Sequence, residues 1–326
     1  MAFQPTSSTN RPVNPVVVDL TYGLGNPEDR YITERAFPAI DVGKDFTGTI
    51  MGFGSGTFFG DPKARYERAP GSIAHEATGP TLANVTYACQ QYSEFCKIPR
   101  EVLERTELAG GDPAKLQAGY MSQVFNDLRI AQDYRLSTAL AAWSVSATPA
   151  NKWDVAAGNP IADIQTAVET VAGYGPDPDI MVIGRQARRT LQTSPAILDF
   201  LKTTEDRNFL NVPALSGLLS SWFGIPSERI FYANARYATS AQGQTLTLGD
   251  VFGDWVWVGK TGRMGFNIAG GVNIEPCALA RMVHKPFEWV EWDENNDNTL
   301  RVRGFHEEVL KTIQSELGYL IDNVTT

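Results

Sequence analysis

Between Leu116 and Ala131 apolar side chains return every three or four positions, at Leu116, Tyr120, Val124, Leu128 and Ala131. Asp112 supplies an N-cap and Pro113 the first helical position, and helix-favouring Ala, Leu, Gln and Arg continue to Trp143. The pattern predicts one helix over 112–143, about 45 Å long at 1.5 Å per residue. A helix of that length serves as a spine for the fold. Beyond it, residues 153–280 read as compact α/β structure. Ile161, Ile164, Ala167, Val168 and Val171 fall on one helical stripe, and Ile180 to Gly184 is a short apolar strand of the kind buried on both faces. Helices are predicted at 186–192, 195–201 and 212–223, and strands at 229–232 and 255–258. A hairpin follows, with Phe287 to Trp292 and Leu300 to Phe305 as strands and 293–298 as the loop. Acidic positions on its first strand can face basic ones on its second. Residues 307–320 carry a mixed pattern that fits helix or strand.

The first 98 residues are different. Pro5, Pro12, Pro15, Pro27 and Pro38 forbid a long helix in 1–45. Phe46 to Met51 and Leu82 to Cys89 alternate as strands. They flank a glycine-rich, charged stretch, Gly52 to Pro80, with little to bury. A loop that long is uncommon in a compact domain, and a two-stranded arm is marginal alone. Both features ask for a partner surface.

Composition narrows the classes. The chain has 326 residues, 43% hydrophobic and 20% charged, which fits a folded protein of one large domain or two intimate ones. A net charge of −9 argues against a surface that grips nucleic acid through phosphates. Cys89, Cys96 and Cys277 form neither a disulfide framework nor a zinc motif and are expected as buried or half-buried thiols. No apolar run is long enough to span a bilayer, and the N-terminus lacks a secretory apolar core, so the expectation is a soluble protein made in a reducing cytoplasm.

The motifs that suggest chemistry each meet a plainer reading. Gly259-Lys260-Thr261 is the tail of a P-loop, but the glycine the motif needs falls on Asp254, and Trp255 to Val258 are bulky. A strand running into a turn fits better. Asp293 to Thr299 resembles the start of a calcium loop, yet Asn298 and Gly304 stand where the loop needs Gly and Glu. Gly52 to Thr57 is one residue short of a dinucleotide fingerprint. His75, His284 and His306 are isolated, with His306-Glu307-Glu308 the one weak acid–base candidate. Trp255/Trp257 and Trp289/Trp292 fit core and interface better than a base or sugar platform. No catalytic, cofactor or metal constellation emerges.

The order of parts carries more. Glu76-Ala77-Thr78-Gly79-Pro80 precedes the alternating Leu82 to Ala88; Cys96 to Glu104 leads towards the long helix; Leu310 to Val324 closes the chain. This order resembles the major capsid proteins of tailed bacteriophages, with the Hong Kong 97-type α+β fold. The resemblance implies an N-terminal arm at 1–45 and an extended loop at 46–90. It further implies a peripheral domain from 91–152 with 281–326, and an axial domain at 153–280. It implies a structural, non-enzymatic protein that forms pentamers and hexamers in an icosahedral head around double-stranded DNA. Its partners would be a separate scaffolding protein, a portal and a cement or decoration protein. The chain would assemble in the host bacterial cytoplasm and reside in the virion. Arg65, Glu67, Arg68, His75 and Glu76 on the loop, and Glu294, Asn295, Asn296 and Asp297 on the hairpin, are the expected assembly contacts. Lys63, with Lys44 before it, offers no strong match to the lysine–asparagine cross-link of some relatives, so a non-covalent shell is expected. The chain also lacks the long charged helical segment that some relatives carry ahead of the arm. An encapsulin-type compartment shell shares the fold and stands as an alternative. A different class, an α/β enzyme with a nucleotide site near Lys260, stands as another.

Overall fold

The computed structural model describes residues 31–53, 82–202, 211–240, 244–245, 247–262, 275–294 and 298–326. They fall into two compact units. One is built on Gln91–Arg129 with Phe287–His306, and the other on the described parts of Arg30–Gln90, Ile130–Pro286 and Glu307–Thr326.

In chain order the elements are α1 (Thr33–Ala36), β1 (Ala39–Asp41), β2 (Thr47–Phe53), β3 (Leu82–Ala88), β4 (Gln90–Pro99), α2 (Arg100–Leu108), α3 (Pro113–Ala141) and β5 (Ser146–Ala147). There follow α4 (Pro160–Tyr174), β6 (Ile180–Ile183), α5 (Arg185–Thr193), α6 (Pro195–Lys202), α7 (Val212–Phe223), β7 (Ile230–Tyr232), β8 (Arg236–Ala238) and β9 (Leu248–Asp250). The last are β10 (Val256–Gly259), β11 (Leu279–Glu294), β12 (Thr299–Thr312) and β13 (Gly318–Ile321).

The long helix begins as its cap predicts: Ala114 N–H donates to Asp112 Oδ1 at 2.9 Å. Its first part belongs to the smaller unit, where Ala118, Met121 and Phe125 meet Ile98 of β4 and Val302 of β12, with Phe287, Trp289 and Leu300 against them. Each such large side chain withdrawn from water contributes about 1.5–3 kcal/mol. Gly304 lets helix and strand approach closely, since a Cβ there would lie 3.0 Å from Val124 Cγ1 and 3.1 Å from Leu128 Cδ1.

The larger unit is organised by a five-stranded sheet of order β5-β13-β10-β6-β7. Strand β10 runs antiparallel to both neighbours, pairing Trp257 with Val182 on one side and Leu320 on the other. Alternation sorts the buried residues into two cores. Ile180, Val182, Trp257 and Leu320 join Leu136 and Leu140 of α3 and Trp143 just beyond its end. Met181, Ile183, Val256, Val258 and Ile321 join Ile164 and Ala167 of α4 and Leu215 and Leu219 of α7. All four residues of β6 and all four of β10 are buried, as the uninterrupted apolar runs predict.

Strands β2 and β3 pair antiparallel from Thr47↔Ala88 to Phe53↔Leu82, so the two alternating segments do flank 54–81 as a ladder. Its base is buried through Ile50 and Tyr87, which join Ile40, Val42, Cys89, Cys277 and Met282. The tail of the proline-rich stretch is part of the core: Ile32, Ala36, Phe37 and Ile40 are all at most 2% exposed.

Two elements differ from the sequence reading. The hairpin strands extend well beyond 287–292 and 300–305, to sixteen and fourteen residues. Residues 307–320 resolve into the end of β12, a 3-10 turn at Ser315–Leu317 and most of β13. Arg281, Glu307 and Glu308 are buried charges within these strands, and buried charges break the apolar alternation by which a strand is recognised.

Segment 31–36 is held to α3 by one carboxylate. Asp133 Oδ1 accepts from Thr33 N–H at 3.0 Å and Thr33 Oγ1–H at 2.6 Å, and its Oδ2 accepts from Ile32 N–H at 3.3 Å. Burial pushes the Asp133 carboxyl up to about 6 despite these donors. A raised native value means the fold holds its proton longer than the unfolded chain does. This group's contribution to stability is therefore complete below about pH 4 and declines as pH rises through 6. Asp133→Asn, which cannot ionise, should flatten that stretch of the stability–pH profile in denaturant titrations. Asp133→Ala, which strands the Thr33 donors, should cost about 1–3 kcal/mol.

Candidate functional site

The P-loop-like tail sits at the end of the central strand β10, and all three amides after Gly259 are occupied. Lys260 N–H donates to Leu317 O and Gly262 N–H to Leu279 O. Thr261 N–H donates to Asp179 Oδ1 at 2.8 Å. The Asp179 carboxylate also accepts from Thr261 Oγ1 and lies 3.6 Å from Lys260 Nζ and 3.9 Å from an Arg229 nitrogen. Arg229 Nη2 donates to Thr261 Oγ1 at 2.6 Å. A phosphate cradle needs free amides converging on an anion. Here the chain supplies its own anion and spends the amides on the sheet and its flanks.

The histidine candidate comes apart in the same way. His306 is 2% exposed and is wedged between the rings of Phe287, at 4.3 Å, and Tyr92, at 5.3 Å. Glu307 pairs with His284 Nδ1 at 2.5 Å and Lys285 Nζ at 3.5 Å. Glu308 accepts from Gln132, Arg135 and Arg281 at 2.7, 3.1 and 2.8 Å. Three consecutive residues thus serve three separate structural ends. Cys89 and Cys277 are buried and Cys96 is half-buried, all as free thiols. Burial, with Asp179 and Glu275 nearby, pushes the Cys277 thiol up to about 12, which leaves it inert at neutral pH. Among the described residues no cluster of side chains is arranged to hold a metal, and no helix is long and apolar enough to cross a membrane.

Of the expected assembly contacts, Arg65, Glu67, Arg68, His75, Glu76, Asn295, Asn296 and Asp297 lie outside the described residues, as does Lys63. Glu294 ends strand β11. Beside it, Asp293 pairs with Arg100 at 2.9 Å, and Arg100 N–H donates to Asn298 O at 3.1 Å. Asn298 has φ 48°, a left-handed conformation that asparagine tolerates. The root of the hairpin loop is thus fastened to the first turn of α2.

Two groupings escaped the sequence reading. The Glu308 cluster joins residues more than 170 positions apart, and only the adjacency of Glu307 and Glu308 in a strand hinted at it. The second is a pair of arginines over phenylalanines, Arg301 on Phe95 and Arg303 on Phe305, each 5.6 Å from the ring centre. The alternation of Arg301 and Arg303 with apolar residues was its visible trace.

No protein-family model and no curated protein sequence matches the chain. Solved structures do. A phage-related protein from Bordetella bronchiseptica RB50 superposes with a TM-score of 0.67 at 20% identity, over 97% of this chain and 98% of that one. The capsid of cyanophage P-SCSP1u gives 0.54 at 9% identity, over 100% and 93%. The chain has the Hong Kong 97-type capsid fold. A virus-like particle from Pyrococcus furiosus also shares it, at 0.54 and 9% identity, over 94% and 96%. The mixed α+β class expected from the sequence is the class of this fold.

Because the amides after Gly259 are occupied and the Asp179 carboxylate lies beside Thr261, Lys260 and Arg229, millimolar ATP or GTP with magnesium should leave the melting temperature unchanged. Asp179→Ala should destabilise the chain by about 1–3 kcal/mol, the cost of leaving Thr261 and the two cations without their acceptor.

Proposed function

We propose that the chain is a major capsid protein. Its copies assemble as pentamers and hexamers into the icosahedral head of a tailed phage around double-stranded DNA, without catalysis. The observation that carries this reading is full-length likeness of fold to phage capsids and to a phage-related protein, in a chain whose one nucleotide-like motif is internally satisfied. The parts take roles accordingly. Residues 1–45 form an arm, 46–90 a loop that lies over a neighbour, 91–152 with 281–326 the peripheral domain, and 153–280 the axial domain about the five- and six-fold axes. A net charge of −9 suits a wall that encloses DNA without gripping it. A scaffolding protein, a portal and a cement or decoration protein are the partners of such a head. The shell is assembled in the host cytoplasm and held without covalent links.

The virus-like particle from Pyrococcus furiosus keeps a compartment shell as the second reading, at a lower TM-score than the phage-related protein.

Electron microscopy of the purified chain, alone and co-expressed with the adjacent phage genes, should show rings of five or six or closed shells. On denaturing gels of those particles this chain should run as a monomer, without a ladder of its multimers. A chain that remains monomeric in both preparations, with 46–90 protected from protease, would refute the reading, since an arm protected in a monomer needs no neighbour.

A further inference from the structure

We propose that Arg185, Arg188 and Arg189 of α5, with Arg236 of β8, form a site for the phosphodiester backbone of double-stranded DNA, held without regard to its sequence. This rests on the shell reading above and names one contact of the enclosed DNA.

Charge defines the site. Helix α5 runs from Arg185 to Thr193 and contains neither Asp nor Glu. Arg185 and Arg236 share a single carboxylate oxygen, Asp250 Oδ1, at 3.2 and 3.1 Å. The partner of Arg188 is a neutral amide: its Nη1 donates to Asn234 Oδ1 at 2.8 Å. Arg189 is exposed, and among the described residues neither it nor Arg188 forms an ion pair. Four guanidiniums are thus set against one carboxylate, an excess of three positive charges on a chain whose net charge is −9.

The cluster works against the helix that carries it. Arg188 and Arg189 stand three and four positions beyond Arg185, so like charges share one flank. Arg185 and Arg188 also lie at the start of α5, where the helix dipole disfavours cations. Burial, and then Arg185 and Arg189 beside it, push the Arg188 guanidinium below its usual value. An arriving anion relieves the mutual repulsion and satisfies the dipole at once.

The size of the excess selects the ligand. A carboxylate from another protein would remove one charge of the three. A duplex presents one phosphate charge about every 1.7 Å along its axis, so neighbouring phosphates meet several guanidiniums together. The planar fork of an arginine suits phosphate oxygens taken in pairs. A single free phosphate lacks that multiplicity. About three contacts make a foothold that ordinary salt loosens, which fits a wall whose overall charge repels DNA.

Fluorescence anisotropy of a short labelled duplex, titrated with the purified, unassembled full chain at several salt concentrations, tests this. Three phosphate contacts give an affinity that falls about fortyfold between about 50 and 200 mM salt. R188Q/R189Q should leave about one contact and a fall of only about three- to fourfold, the same for two unrelated duplex sequences. D250N, which removes the competing carboxylate, should bind the duplex more tightly than wild type, and R105Q, on the exposed helix α2, should bind like wild type. Unchanged melting temperatures would establish that each variant folds. A wild-type chain without salt-dependent binding, or R188Q/R189Q with the wild-type salt slope, would overturn the site while leaving the shell reading intact. A melting temperature raised by millimolar inorganic phosphate in wild type but not in R188Q/R189Q, without affinity for the duplex, would overturn it in favour of a free phosphate. R188Q/R189Q that binds the duplex like wild type but assembles only at higher concentration would overturn it in favour of a carboxylate on a second copy. A chain that never assembles, with or without the adjacent phage proteins, would remove the shell reading, and the titration on unassembled chain would still decide the site.

Discussion

The larger unit depends on one buried carboxylate. Glu308 and Arg281 expose only 2% and 7% of their side chains, and the pair is completed by Arg135 and Gln132 of the long helix, with Glu34 of α1 3.9 Å from Arg281. Two strands, a long helix and the short helix α1 therefore meet at a single ion pair. Such a network is a poor source of net stability, because desolvating the ions consumes most of what their attraction returns. Its consequence is geometric. A slip of β12 by one residue would turn Glu308 to the opposite face and leave Arg281 buried without its partner, an error costing several kcal/mol. The register of the longest strands is fixed by electrostatics, and the apolar clusters are packed to that register.

What could be read from the sequence follows from where its signals are local. The spine helix was legible because its stripe and its Asp112-Pro113 cap lie within the helix itself. The apolar run at Ile180 to Ile183 was legible because a strand covered on both faces announces itself by composition. The two strands around 54–81 were legible as alternation. The hairpin's true length was not, because Arg281, Glu307 and Glu308 are polar letters in buried positions, and their partners lie far along the chain. Helix α2 was not read as an element, and Cys96 to Glu104 was read only as leading towards the long helix, since α2 buries nothing and so carries no stripe.

The nucleotide-like motif fails its spacing at Asp254, and a distant residue then puts its tail to another use. Nothing within Gly259 to Gly262 forbids an anion. Asp179, eighty-two positions from Thr261, supplies one covalently tied to the fold. The carboxylate is a built-in ligand, and it converts a stretch that resembles a binding loop into a fastening between the sheet and the turn beneath it. The same economy runs through the chain. Its carboxylates Asp133, Asp179 and Glu308 act as internal acceptors, so the negative charge of the sequence is partly an inventory of interior fastenings.

The two compact units draw on residues 287–306 and 307–326 respectively, and β13, at 318–321, lies between β5 and β10 in the sheet. During synthesis, then, neither unit can close while its chain is still lengthening through the first 286 residues. At about 5–20 residues per second the β10 edge waits about 3–12 seconds and the β5 edge about 9–34 seconds for β13 to be made. Both edges are unpaired and exposed for those intervals. Neither unit therefore has a finished surface to offer another copy until residues 287–321 have been made.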